Sequence, residues 1–263
     1  MTLKADEIQA LPLEEKRSLL AQMLQQKING RIPAKNGRSP ANTLLSPLIP
    51  TPAERPYPFP LTDIQQAYWV GRSATYELGD VSIHVYSEIE GDNLDLERLN
   101  QAWQKLIARH DMLRAVVLPD GRQQILADVP PYEIKIQDFR NHSAQAAAEA
   151  LAAIRDELAH QVLPAEQWPG FDIRASLLPD GRIRLHVSID LLHLDGGSLM
   201  ILNDEWMQLY ANPNITLPPL ALTYRDYALA VNNLKSSTQY QQSLAYWQGR
   251  VPSLSRAPEL PKA

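Results

Sequence analysis

Between Asn29 and Pro60 the chain places eight prolines, Pro33, Pro40, Pro47, Pro50, Pro52, Pro56, Pro58 and Pro60, among glycines and small polar residues. A proline ring fixes φ, removes a backbone donor and bars the preceding residue from the helical region, so neither a helix nor a sheet ladder can run through such a stretch. It reads as a linker over 29–55, with a globular domain beginning near Pro56. Ahead of it, within 1–28, Leu13, Leu19, Leu20, Met23 and Leu24 fall close to helical spacing, which predicts an amphipathic helix suited to docking or linking. Behind it lies most of a chain of 263 residues with 44% apolar content, enough for a core.

The formal charge of −5 gives no general pull toward phosphate backbones or anionic lipid, so nucleic acid and membrane are not expected partners. No run is apolar enough to span a bilayer, and the start MTLKADEIQALPLEEKRSLL is charged where a signal peptide needs an apolar centre, which points to the cytoplasm. The absence of cysteine excludes disulfides, thiolate zinc sites and a cysteine nucleophile.

The periodicity then alternates. Thr62 and Gln65 match a capping box for a helix over 60–72, with Ile64, Ala67 and Tyr68 on one face. Residues 82–90 alternate as a half-buried strand, Ile83, Val85 and Ile89 on one side and His84, Tyr86 and Glu88 on the other, before residues 94–110 turn helical. Residues 112–128 and 171–190 each break at Pro-Asp-Gly, where proline presets one turn angle and glycine accepts a positive φ, predicting two hairpins. Helices are expected over 143–162 with Ser143 as N-cap, and over 198–210, 223–235 and 237–250. The fold class is mixed α/β.

The segment SIDLLHLDGGS, 188–198, carries the candidate chemistry. Strand alternation puts Ile183, Leu185, Val187 and Ile189 on one face and Arg184, His186, Ser188 and Asp190 on the other, a polar face expected to meet solvent or line a wet cleft. A plain structural reading has Asp190 ending the strand, Asp195 stabilising a helix start and Ser198 capping the helix. A metal site from Asp190, His193 and Asp195 matches no standard ligand loop. No G-x-S-x-G elbow, G-x-G-x-x-G or P-loop is present.

Three segments together, FPLTDIQQAYWVGR (59–72), RHDMLRAVVLPDGRQQ (109–124) and DLLHLDGGS (190–198), resemble in order and spacing the first three motifs of heterocyclisation domains from nonribosomal peptide synthetases. The resemblance implies a chloramphenicol-acetyltransferase-like lobe, a mixed sheet with flanking helices forming one half of a V-shaped two-lobe domain. It would place the amino-terminal lobe at 56–250 and the start of an inter-lobe linker at 251–263. Condensation relatives carry two adjacent histidines, three residues and Asp-Gly; in that register Asp190 stands for the first histidine and Leu191 for the catalytic one. The cyclising pattern instead is Asp, four residues, Asp, two residues, Ser, matched by Asp190, Asp195 and Ser198, which makes these three the candidate catalytic residues.

The activity so implied joins a carrier-bound acyl or peptidyl thioester to carrier-bound Cys, Ser or Thr, then cyclodehydrates the product to a thiazoline or oxazoline. Expected partners are carrier proteins, whose phosphopantetheine arms bring the only cofactor, and a second lobe; no cofactor or metal is expected in this chain. The family's later motifs have no counterpart here, so the chain alone is expected to be inactive. A non-catalytic carrier-docking module is the alternative, and the missing histidine argues against an acyltransferase of the wider fold. Within the site, Asp190 is expected to contact substrate and Asp195 to hold the turn by pairing with Arg114. Gln65 is read as a cap, Tyr68 as a packing residue, Arg72 as a solvated helix end, and Arg109 and His110 as cations at a helix C-terminus.

Overall fold

The computed structural model describes residues 48–72, 79 and 81–255. The expected helix at 7–28 and the segments 29–47 and 256–263 lie outside the described residues. The chain divides between Leu44 and Leu45, and everything below concerns the second unit.

Two sheets organise it. A small antiparallel sheet has the order β1 (Phe59–Pro60), β4 (Arg122–Ile125), β3 (Ala115–Val117). The larger sheet has the order β2 (His84–Asp92), β7 (Arg182–Asp190), β6 (Phe171–Leu177), β5 (Lys135–Asp138), antiparallel except for the parallel pair β5 and β6. That parallel pair needs a crossover, supplied by the helix α3 (Ala144–His160). Ser143 caps it as expected, its side chain accepting from the Ala146 amide.

The helices α2 (Leu96–Arg109) and α4 (Gly196–Ala211) lay apolar stripes on one face of the larger sheet. Trp103 and Trp206 meet there at 4.7 Å between ring centroids, with Phe171 edge-on to Trp103 at 5.2 Å. The sheet contributes Phe171, Ile173, Ala175, Leu185, Val187 and Ile189, alternate residues of β6 and β7 as the pleat requires.

The opposite face departs from expectation. The polar side of β7 neither meets solvent nor lines a cleft: His186 is 0% exposed, Ser188 1% and Asp190 3%. α3 covers it, with Ser188 Oγ donating to the Leu158 carbonyl and Arg155 bridging to Glu88. Burial is tolerated because the groups pair: His186 Nε2 meets Ser176 Oγ at 3.0 Å and Nδ1 meets the Tyr86 hydroxyl at 2.8 Å, while that hydroxyl donates to Glu88. Burial pushes the His186 imidazole down to about 4, so it is neutral at pH 7. On the edge strand β2 the two faces trade places. Its polar side packs under α3, whereas Ile83, Val85 and Ile89 are 41%, 37% and 44% exposed.

Both Pro-Asp-Gly segments are hairpin turns, with Gly121 at φ 79° and Gly181 at φ 84°. The helix α1 (Asp63–Gly71) opens with the reciprocal capping box of Thr62 and Gln65. Ile64 is 67% exposed, so the inward face carries Gln65, Tyr68 and Trp69 instead. The helices α5 (Tyr224–Leu234) and α6 (Thr238–Arg250) follow α4, near their expected bounds.

Candidate functional site

All three candidate residues lie between the last residue of β7 and the first turn of α4, and the fold treats them differently. Asp190, the last residue of β7, is buried and hydrogen-bonded through both carboxylate oxygens. Its Oδ1 accepts from Arg72 Nη2 and from the Leu192 amide at 2.8 Å, and its Oδ2 accepts from Ser82 Oγ at 3.0 Å. Arg72, which follows α1, is not a solvated helix end. Its side chain is 8% exposed, and its Nη1 also donates to the Leu163 carbonyl. Asp190 thus ties together the end of α1, the entry to β2 and the turn after β7. A buried pair of this kind is costly to break from one side only, because the remaining charge is left unpaired in a poorly solvated site.

Asp195 lies at the surface. It is the N-cap of α4, its Oδ1 accepting from both the amide and the hydroxyl of Ser198 at 2.7 Å. These bonds, the hydroxyl first, hold its carboxyl below the usual carboxylate range. The expected pairing with Arg114 is not formed. Arg114 instead binds Asp111 and the carbonyls of Ile107, Ala108 and Leu126, closing the corner between α2 and β3. The cap is therefore Asp195 rather than Ser198, and the helix begins two residues earlier than expected. A carboxylate at this position gains from the exposed amides of the first turn. The structure brings Asp195 and Ser198 together, and Asp190 shares no partner with either.

Between them sits His193. Its Nδ1 is buried without a hydrogen-bond partner, and its ring edge lies against Gly170, where an added Cβ would stand 3.2 Å from His193 Cδ2. Burial pushes this imidazole down to about 4, with Asp190 and Arg72 acting on it in opposite senses. Among the described residues no three metal-ligating side chains converge. Arg109 and His110 do more than face a helix end: both bind Glu205 on α4, Arg109 through two nitrogens at 2.9 and 3.1 Å and His110 at 2.7 Å.

Sequence reasoning missed the largest structural role in this region. Gln65, read as a cap, also bonds to the third segment through the Leu192 carbonyl and to the second through Gln123. Beneath it, Leu61, Val117, Ala165 and Leu192 form a small buried cluster with Tyr68 and Trp69 packed against it. The three segments quoted from the sequence therefore converge in space.

With that convergence in view, similarity to known proteins is decisive. The Condensation domain family profile matches residues 57–263. The chain belongs to the condensation-domain family. Phenyloxazoline synthase MbtB from Mycobacterium sp. (strain MCS) is 39% identical over 205 residues, 78% of this chain and 17% of the relative. Pyochelin synthetase PchE from Pseudomonas aeruginosa (strain PAO1) is 39% identical over 215 residues, 82% of this chain and 15% of that protein. Among solved structures, the EpoB NRPS cyclization-docking bidomain from Sorangium cellulosum superposes with a TM-score of 0.76 at 38% identity, covering 99% of this chain and 49% of that one. This condensation-type domain of the nonribosomal peptide synthetase kind thus spans under a fifth of these curated relatives and about half of the solved structure. No helix among the described residues is long and apolar enough to cross a membrane.

Proposed function

We propose that the chain is the amino-terminal lobe of a heterocyclisation domain. The observation that carries this reading is the third segment. Aliphatic Leu191 stands where a condensation domain would place its histidine, between a buried, clasped Asp190 and the Asp195–Ser198 pair at the surface. The names of two relatives, a phenyloxazoline synthase and a cyclization-docking bidomain, support it.

In this reading the amine of a carrier-bound cysteine, serine or threonine attacks the carbonyl of the donor thioester and expels the donor carrier's phosphopantetheine thiol. The acceptor's own thiol or hydroxyl then adds to the new amide carbonyl, and loss of water leaves the C=N bond of a thiazoline or oxazoline. Holding both thioesters in register supplies proximity, and expelling hydroxide calls for a proton donor at oxygen and an acceptor at nitrogen. Asp190 serves as the clasp between Arg72, Ser82 and Leu192, in place of the substrate contact expected from the sequence. Asp195 and Ser198 are the groups open to substrate, Asp195 charged at neutral pH and Ser198 able to donate or accept. The remaining catalytic groups come from a second lobe.

The test incubates the chain, alone and with a supplied second lobe, with a donor-loaded carrier and a cysteinyl carrier, and follows condensed product by mass. Product only with the second lobe supports the reading. Product from the chain alone overturns the need for a second lobe, and carrier binding without product in either case leaves a docking module.

A further inference from the structure

Gln65 is 5% exposed and bonded on every side. Its Nε2 donates to the Leu192 carbonyl at 2.9 Å and to Gln123 Oε1 at 3.0 Å. Its Oε1 accepts from Gln123 Nε2 at 2.9 Å, from the Tyr224 hydroxyl at 3.1 Å and from the Thr62 amide at 3.1 Å. One side-chain amide therefore joins α1, β4, α5 and the turn that leads into α4.

That turn needs outside support. Residues 191–195 belong to neither the ladder of β7 nor the helix α4, so their backbone groups depend on partners elsewhere. Leu192 is gripped at both ends of its backbone: its amide donates to Asp190 Oδ1 at 2.8 Å and its carbonyl accepts from Gln65 at 2.9 Å, while its side chain is 1% exposed. Gln65 and Arg72 lie seven residues apart, two turns of helix, so α1 and its end present two polar grips on one side. One holds Leu192 and the other holds Asp190.

We propose that Gln65 is a positioning residue for the site, setting through the Leu192 carbonyl the path of the turn that delivers Asp195 and Ser198. Its meaning for catalysis rests on the heterocyclisation reading; its mechanical part does not. Two variants separate the role from general support. Gln65→Met removes every side-chain bond with little change in shape, and Gln65→Glu, read at a pH where its carboxyl is ionised, keeps the acceptor oxygen but has no proton to donate to Leu192. Tyr224→Phe, which removes one hydroxyl on the far side of the hub, bonded to Gln65 Oε1 at 3.1 Å and to Thr62 Oγ1 at 3.5 Å, is the comparison.

The experiment is hydrogen exchange on the intact 263-residue chain, followed by turnover with the supplied second lobe. A loosened turn opens locally, so amides over 192–198 exchange faster by about tenfold or more in both Gln65 variants while β6 and β7 keep wild-type rates. Tyr224→Phe leaves 192–198 unchanged, whereas in both Gln65 variants turnover falls through kcat with KM for the cysteinyl carrier held. Should Gln65→Met fail to fold, Gln65→Glu alone decides. A uniform rise across β6, β7 and α4, or wild-type exchange over 192–198 in Gln65→Glu, overturns the proposal. Absence of product from the wild-type pair counts against the heterocyclisation reading, and the exchange data still decide the role of Gln65.

Discussion

Replacing Asp190 by asparagine keeps the side chain's shape and removes its charge. The Arg72 guanidinium, on a side chain 8% exposed, then has no anion in its site, and the Leu192 amide and Ser82 hydroxyl lose a charged acceptor. Removing one partner of a buried pair costs about 3–5 kcal/mol. For a folded unit of this size each kcal/mol lowers the melting temperature by roughly 2–4 °C, so Asp190→Asn is expected to melt roughly 6–20 °C below wild type. Asp195→Asn provides the contrast. Its Oδ1 accepts from two donors at the surface, and asparagine is itself a good N-cap, so the loss is within about 0.5 kcal/mol. Calorimetric melting at pH 7 with urea unfolding as a second probe reads both. A melting point for Asp190→Asn within about 2 °C of wild type, or an equal drop for Asp195→Asn, would refute the division into clasp and open cap.

Other outcomes follow from the same contacts. His186 and His193 are both pushed down to about 4 by burial, from an ordinary value near 6.5, so unfolding takes up protons in between. The stability of their neutral forms is fully present above about 6.5 and is lost as pH falls toward 4; urea midpoints should drop over that window, with both imidazoles still neutral by NMR at pH 5.5. Gly121→Ala and Gly181→Ala both force a side chain to positive φ, costing about 1 kcal/mol, but only the first also presses a Cβ to 3.2 Å from Trp69. Gly121→Ala should therefore melt lower than Gly181→Ala, and equal melting would contradict the packing of α1 against the β3–β4 turn. Trp103→Ala, at the centre of the core, should cost about 3–5 kcal/mol by urea unfolding, and a loss under about 1 kcal/mol would contradict the packing described.

What the sequence made legible was local. Pro119-Asp120-Gly121 and Pro179-Asp180-Gly181 specify their turns within four residues, and Ser143 and the Thr62–Gln65 box specify helix starts within one turn, so these appear as expected. The pattern of Asp190, Asp195 and Ser198 was legible by resemblance. Their environments were not, because the groups that set them are distant in sequence: Arg72 lies 118 residues from Asp190, and Leu192 lies 127 from Gln65. The pairing assigned to Arg114 failed for a related reason. Its guanidinium is consumed by carbonyls 6, 7 and 12 residues away, which periodicity does not reveal. The exchanged faces of β2 show that alternation identifies two faces of a strand without saying which one a helix will cover. The four-residue β5, parallel to β6, is too short to have left a pattern.

This condensation-family chain is proposed to belong to a ring-forming domain. The most direct test is the intact mass and thiol content of the product released after the chain and a second lobe have acted on a donor-loaded carrier and a cysteinyl carrier. The expected product is lighter than the open amide by one water and resistant to thiol alkylation. An open amide bearing a free, alkylatable thiol would contradict it and identify an ordinary condensation activity.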